Sequence, residues 1–229
     1  MTKTQITLSK QTFTILKNFS SMNSNILVKP GNIIKTITPS KNGMAEAEVE
    51  ETFDVEFGIW DLNKFLGVIS LFNSPTLEFE DKYVTISGTN GSSVKYFYSE
   101  PRLLTVPTKN VNMPSIAISA DISEKTFSDL QKASSVLQLP DLSFTNINDK
   151  MFAVVHDIND PTSNSYKVEI GDLPSKSAEF SFNFKMENIK LLPGNYQINF
   201  AKNTVGEFSH ETLNLTYWFA MENTSTYQA

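Results

Sequence analysis

Two segments of the chain, 114 residues apart, share an amphipathic pattern that constrains the fold more than any other feature. TFTILKNFSS begins at Thr12 and TFSDLQKASS begins at Thr126, and the two match at Thr, Phe, Leu and the Ser-Ser pair. In each, apolar side chains recur at the spacing of one helix face. We therefore predict helices over Ser9–Met22 and Ser123–Leu137, with the first serine of each as N-cap. The recurrence predicts an internal duplication.

The opposite faces of these two helices carry lysines one heptad apart. Lys10 and Lys17 lie on the first helix, and Lys125 and Lys132 lie on the second. These positions do not match one for one, so the repeat is structural and weak as sequence identity. A lysine on a polar helix face is usually only solvated. Recurrence in both repeats leaves a functional role open beside that interpretation.

Most of the remaining chain has the alternation of β-strands. AEAEVE (residues 45–50) alternates small apolar residues with glutamates, and turn pairs such as Asn148-Asp149 separate similar segments. Two further helices are predicted over Asp61–Phe72, capped by Asp61, and over Met186–Leu192, before Pro193-Gly194. The pattern indicates an α+β fold with antiparallel sheets. The predicted divisions are a domain over 1–98, a connector over 99–115 and a second domain over 116–229.

The connector contains Pro101, Pro107 and Pro114, which disfavour helix and central strand. It also carries five large apolar residues: Leu103, Leu104, Val106, Val111 and Met113. One interpretation is an extended linker packed on the sheets. The other is one wall of a groove that receives the hydrophobic tail of a partner.

The charge composition limits the kinds of partner. The net charge is −6, and Arg102 is the only arginine among 19 basic residues. Arginine is the usual reader of guanine edges, so sequence-specific DNA recognition is disfavoured. Lysines can still contact phosphates without reading bases. There is no cysteine, which agrees with a reducing cytoplasm, and we expect neither a secretory signal nor a membrane span.

The sequence lacks the motifs of common enzyme classes. His156 and His210 have no companion at metal-ligand spacing, and no phosphate loop or nucleophile elbow is present. We therefore expect no catalytic activity, no cofactor and no metal site.

Several long segments resemble a known family. LKNFSSMNSNILVKPGN (16–32), FGIWDLNKFLGVISLFN (57–73) and MENIKLLPGNYQINFAK (186–202) are similar to the sliding clamps of T-even-type tailed bacteriophages. These clamps are DNA polymerase processivity factors. The resemblance runs in order over almost the whole chain and includes the closing YWFAMENTS (217–225).

The resemblance implies two similar domains per chain, each with antiparallel sheets outside and two helices inside. It implies a homotrimer, closed head to tail into a ring around double-stranded DNA, in the cytoplasm of the infected bacterial host. An ATP-dependent clamp loader would place the ring on DNA, and the C-terminal peptide of the polymerase would bind it. The family also serves late transcription through a sigma-like factor and a co-activator.

By family position, the DNA-facing residues would be lysines: Lys10, Lys17, Lys64, Lys132 and Lys190, with Lys125 added from its helix face. One departure is Ser135, where family members can carry a second arginine. The five apolar connector residues become the implied pocket for the partner peptide.

Rival functions remain. The main one is a non-enzymatic virion or assembly protein whose duplicated domains pack into a ring, and the fold alone does not exclude it. A carbohydrate-binding β-sandwich is a weaker rival, because most aromatic residues alternate within strands. An enzyme is the weakest.

Overall fold

The computed structural model describes residues 5–173, 178–202 and 204–228. The chain divides into two compact units, residues 1–110 and residues 111–229. The division falls inside the predicted connector. Each unit combines antiparallel strands with one or two helices.

The first unit contains eight strands and two α-helices among its described residues. In chain order they are β1 (Gln5–Ile6), α1 (Lys10–Met22), β2 (Ile26–Val28), β3 (Gly31–Ile37), β4 (Gly43–Phe53), β5 (Phe57–Ile59), α2 (Leu62–Ile69), β6 (Thr76–Phe79), β7 (Tyr83–Ser87) and β8 (Ser93–Phe97). One antiparallel sheet has the order β1-β6-β7-β8. Separately, β3 pairs with β4 and β2 pairs with β5.

The core of the first unit joins α1 to an aromatic cluster. Ile15, Leu16 and Phe19 on α1 are almost fully buried. Phe53 meets Phe79 edge to face, with ring centroids 6.0 Å apart. Helices α1 and α2 pack together, and Ser20 on α1 donates to the side-chain oxygen of Asn63 on α2 at 2.8 Å.

The second unit contains nine strands and one α-helix among its described residues. They are β9 (Ile118–Ile122), α3 (Glu124–Leu137), β10 (Asp141–Ile147), β11 (Lys150–His156), β12 (Tyr166–Asp172), β13 (Glu179–Lys185), β14 (Tyr196–Ala201), β15 (Val205–His210), β16 (Leu215–Ala220) and β17 (Thr226–Gln228). One sheet has the order β12-β11-β10-β13-β17, and β9, β14, β15 and β16 pair antiparallel in that order. Phe200 stacks on Phe182 with ring centroids 4.7 Å apart, and Phe144 lies tilted against Phe200 at 5.0 Å.

The three predicted N-caps, Ser9, Asp61 and Ser123, are confirmed. Ser9 accepts the backbone N–H of Thr12, Asp61 accepts that of Lys64, and Ser123 accepts that of Thr126. These side chains satisfy N–H groups that have no partner within the helix. The turn at Asn148-Asp149 is also confirmed, because both residues have positive φ, as a type I′ hairpin turn requires.

The predicted helix over Met186–Leu192 is wrong. Only a single 3₁₀ turn forms there, over Met186–Asn188. The following backbone bonds to tyrosines: Leu192 donates its N–H to Tyr217 Oη and its carbonyl accepts from Tyr196 Oη. A seven-residue segment forms a stable helix only with the support of tertiary packing, and here the tertiary partners bond to its backbone instead.

Smaller differences concern helix ends and the connector. Helix α2 stops at Ile69, and the predicted stretch to Phe72 continues only as looser turns. Val136 on α3 is 80% exposed, whereas the buried residues of this helix are Phe127, Leu130 and Ser134. Within the connector, Pro101 starts a short 3₁₀ turn that ends at Leu103, since proline suits the first helical position.

Candidate nucleic-acid interface and partner groove

The only charged residues of α1 are lysines. Lys10 and Lys17 are exposed, and the helix contains no aspartate or glutamate. The nearest carboxylate recorded at its start is Glu51, which accepts the backbone N–H of Ser9 and the hydroxyl of Thr12. Glu51 therefore adds to the N-terminal cap. The lysines stay available to an anion.

Lys64 extends this lysine set onto α2. Its side chain is exposed, and its backbone N–H donates to Asp61 at 2.9 Å. Helices α1 and α2 pack against each other, so Lys64 belongs to the same helical pair as Lys10 and Lys17. The first unit thus carries three exposed lysines on paired helices.

The polar face of α3 is mixed in charge. Lys125 and Lys132 are exposed, but Asp129 lies between them, 2.6 Å from Lys125 Nζ and 3.9 Å from Lys132 Nζ. The hydrogen bond from Lys125 lowers the pKa of Asp129 and raises the pKa of Lys125. The carboxylate therefore stays ionised beside both lysines.

Lys190 is exposed but does not lie on a helix, because it follows the 3₁₀ turn at Met186–Asn188. Ser135, the position of the family departure, is exposed on the last turn of α3. In the second unit, the three candidate DNA-facing lysines therefore come from one helix and from one segment that is neither helix nor strand.

A groove of about 400 Å³ lies in the first unit, between the turn joining β2 to β3 and the connector. Its walls include the apolar residues Leu27, Ile33, Val106 and Pro107 together with the lysines Lys29, Lys35 and Lys109. Lys35 pairs with Glu46 at 2.5 Å and donates to the side chain of Asn110 at 2.8 Å. Lys35 therefore links Asn110 of the connector to β3 beside the groove.

The five predicted pocket residues occupy different environments. Val106 lines the groove, and Leu104 is buried next to Gly58, where an added methyl group would lie 2.7 Å from Leu104 Cδ1. Leu103 is exposed, whereas Val111 and Met113 are half-buried. Of the five, Val106 alone lines this groove.

The opposite wall was missed by sequence reasoning. Leu27 and Ile33 belong to β2 and β3, which look like ordinary core strands in the sequence. Ile33 is 45% exposed in the structure. An alternating strand residue cannot be identified as exposed until its sheet partners are known.

The histidines take structural positions. His156 on β11 lies with Nε2 2.7 Å from Ser143 Oγ, and the Ser143 hydroxyl donates to Asn183. Ser143 is 3% exposed, so a substrate has no access to its hydroxyl. His210 accepts the backbone N–H groups of Thr212 and Leu213 through Nδ1.

No group of three or more histidine, cysteine, aspartate or glutamate side chains in residues 5–173, 178–202 and 204–228 is arranged to hold a metal ion. Across those same ranges, no helix combines the length and apolar character needed to cross a membrane.

The fold is that of the DNA clamps. The solved structure "C-terminal region of FEN-1 bound to A. fulgidus PCNA" superposes with a TM-score of 0.70 over 97% of this chain and 98% of that one, at 13% identity. PCNA from Thermococcus kodakaraensis gives a TM-score of 0.69 at 13% identity, over 95% of this chain and 99% of that one.

Sequence comparison identifies the family. The family model for DNA polymerase processivity factors matches residues 9–102, and that for the C-terminal part of the gp45 sliding clamp matches residues 119–223. The sliding clamp of Enterobacteria phage T4 is 29% identical over 228 residues, covering 96% of this chain and 98% of the phage protein. The sliding clamp of Vibrio phage KVP40 is 26% identical over 220 residues, covering 94% and 98%. The chain belongs to the sliding-clamp family of DNA polymerase processivity factors.

Proposed function

We propose that this chain assembles into a homotrimeric ring that encircles duplex DNA and tethers a replicative polymerase, without catalytic activity of its own. One observation carries the proposal: two clamp family models match consecutive parts of a chain whose repeated helices expose lysines. The resemblance to phage clamps implies that these lysines face the DNA.

Lysine suits a sliding contact with DNA better than arginine does. Lysine is a strongly hydrated point charge, whereas arginine forms bidentate contacts with phosphates and guanines. Every neutralised phosphate adds salt-dependent affinity, so a few hydrated lysines hold DNA loosely. The six proposed DNA-facing residues are Lys10, Lys17, Lys64, Lys125, Lys132 and Lys190, and all are exposed.

Each unit has an open strand edge, and these two different edges suit the head-to-tail contacts of a ring. Strand β8 ends its sheet in the first unit and β12 ends the five-stranded sheet in the second unit. A head-to-tail ring needs two different complementary surfaces on each chain, and open strand edges readily pair with another chain. Phe97 on β8 is 64% exposed, which fits a residue covered in an assembly.

The ring proposal is tested by the mass in solution. Light scattering at micromolar concentration should give three chains per particle, and Phe97→Glu should shift the mass toward one chain. A wild-type monomer at every concentration would exclude the ring.

The groove beside Val106 is the proposed site for the polymerase's C-terminal peptide. Its apolar walls suit hydrophobic side chains, and its exposed lysines, Lys29 and Lys109, suit acidic residues or a terminal carboxylate. An extended peptide with apolar anchors and negative charge therefore matches both features.

We further propose an ATP-dependent clamp loader, a late sigma-like factor and a co-activator as partners, in the cytoplasm of the infected bacterial host. The support is that the named relatives are sliding clamps of bacteriophages. The same names favour a clamp over a ring protein of the virion. Abundance in purified virions, rather than in replication fractions, would favour the virion protein instead.

The DNA-facing surface is tested by reversing one lysine in each repeat. The double substitution of Lys17→Glu and Lys132→Glu should impair processive synthesis on primed circles far more than it lowers the unfolding temperature. Both side chains are exposed, so the core is unaffected. The matched control reverses Lys167 and Lys202, which are exposed and lie outside the three helices. Full processivity of the Lys17/Lys132 variant at moderate salt would reject this surface.

A further inference from the structure

The two repeated helices differ in net charge. Helix α1 carries Lys10 and Lys17 without an acidic residue, whereas α3 balances its two lysines with Glu124 and Asp129. The net charge of the side chains is therefore +2 on α1 and zero on α3. The duplication preserved the caps and the apolar stripe, but the polar faces diverged.

Asp129 is placed to neutralise both lysines of α3. Its two oxygens lie 2.6 Å from Lys125 Nζ and 3.9 Å from Lys132 Nζ, at the four- and three-residue spacings that bring side chains together on one helix face. The lysine side chains are 86% and 72% exposed, so solvent and ions reach the group.

Helix α1 has no equivalent of this carboxylate. The residue 114 positions before Asp129 is Ile15, which is 1% exposed and belongs to the core. Within the described part of the chain, no ion pair is recorded for Lys10 or Lys17.

We propose that Asp129 acts as an intramolecular counterion that competes with DNA phosphates for Lys125 and Lys132. Electrostatic contact with DNA then rests mainly on α1, and the second unit offers a surface over which phosphates pass with little retention. This inference rests on the proposed function. A lysine already neutralised by its own chain releases fewer counterions on meeting a phosphate, so it adds less to affinity and to salt dependence.

The test is Asp129→Asn in the assembled protein, with fluorescence anisotropy of a short labelled duplex of random sequence. The substitution removes one charge and frees two lysines. A plot of log affinity against log potassium chloride concentration should become steeper by about 1 to 2 for each bound chain, since each phosphate contact contributes about 0.9. Affinity at low salt should rise severalfold.

Glu207→Gln is the matched control. It changes the net charge by the same amount in the same unit, but Glu207 bonds to neutral groups, Asn199 Nδ2 and Trp218 Nε1. Glutamine keeps an acceptor for Trp218 and frees no lysine, so the salt slope should stay at the wild-type value.

An unchanged slope for Asp129→Asn, or an equal increase for Glu207→Gln, would overturn the role of Asp129. The double substitution of Lys10→Glu and Lys17→Glu separates this failure from a failure of the DNA-facing surface. If it lowers affinity while Asp129→Asn changes nothing, the surface stands and the counterion does not. If it leaves wild-type binding intact, the surface and the counterion both fail.

Discussion

The side-chain oxygen of Ser9 accepts the backbone N–H of Thr12 at 3.1 Å, and the two side-chain hydroxyls lie 3.0 Å apart. The same arrangement recurs 114 residues later, where Ser123 accepts the N–H of Thr126, also at 3.1 Å, and the hydroxyls are 2.8 Å apart. The repeat is therefore preserved at the hydrogen bonds that start each helix, even where the surface residues have diverged.

The second cap allows a direct prediction. Ser123→Ala should lower the free energy of unfolding by about 1 kcal/mol, because the N–H of Thr126 loses its acceptor. Urea unfolding followed by circular dichroism measures the change. Ser135→Ala, on the exposed last turn of the same helix, is the control and should alter stability by less than about 0.5 kcal/mol. Equal effects of the two substitutions would contradict a capping role.

The groove is tested at Val106. Val106→Glu should weaken binding of the polymerase's C-terminal peptide by at least about tenfold, which corresponds to about 1.4 kcal/mol, because a carboxylate would enter an apolar wall. Isothermal titration calorimetry gives the affinity, and light scattering checks that the oligomer is unchanged. Met113→Glu is the informative comparison, since Met113 does not line the groove.

A smaller effect at Met113 would locate the peptide beside Val106. Loss of binding with Met113→Glu, and none with Val106→Glu, would move the site along the connector.

Alkaline pH should destabilise the second unit. Burial raises the pKa of Tyr196 and of Tyr217 above the ordinary value of 10.0. Above pH 10 the unfolded chain loses these protons first, so the native state binds more protons and the free energy of unfolding falls as pH rises. The stabilisation is complete below pH 10.

Urea unfolding at a series of alkaline pH values measures this slope. Tyr217→Phe should be less stable at neutral pH, because the N–H of Leu192 loses its acceptor. Its slope above pH 10 should be shallower than that of the wild type. An identical slope would show that Tyr217 does not contribute to the linkage.

Asn183 on β13 forms hydrogen bonds with Thr224 and Ser225. It is 2% exposed, its side chain accepts from Ser143 and donates to the Thr224 carbonyl, and its backbone N–H donates to Ser225. Asn183→Ala would leave several buried polar groups without partners. We expect a loss of about 3 kcal/mol in unfolding free energy, at about 1–3 kcal/mol for each unsatisfied group.

Hydrogen exchange of residues 222–228 should accelerate in this variant more than exchange elsewhere in the second unit. Asn199→Ala is the control, because Asn199 is only half-buried at the sheet surface. Uniform acceleration across the unit would indicate general destabilisation instead of a released chain end.

Local chemistry made three helix starts predictable. Ser9, Asp61 and Ser123 cap helices because a short side-chain oxygen satisfies N–H groups within its own turn, and this requires no knowledge of the rest of the fold. The 3.6-residue spacing of Ile15, Leu16 and Phe19 likewise encodes which side of α1 is buried. The family resemblance rested on such contiguous segments.

Contacts between residues that are distant along the chain could not be predicted from the sequence. The tyrosines that replace helical hydrogen bonds at Leu192 come from positions 196 and 217, and the wall facing Val106 comes from Leu27 and Ile33. The pairing of Asp129 with Lys125 and Lys132 depends on helix geometry, although all three residues lie within eight positions. By itself the sequence determined the duplication, the helix starts and the abundance of lysine over arginine, because these depend on neighbours in the chain. Only the tertiary structure decided which strand residues stay exposed and which polar groups find partners, because burial and hydrogen bonding depend on segments that the fold brings together.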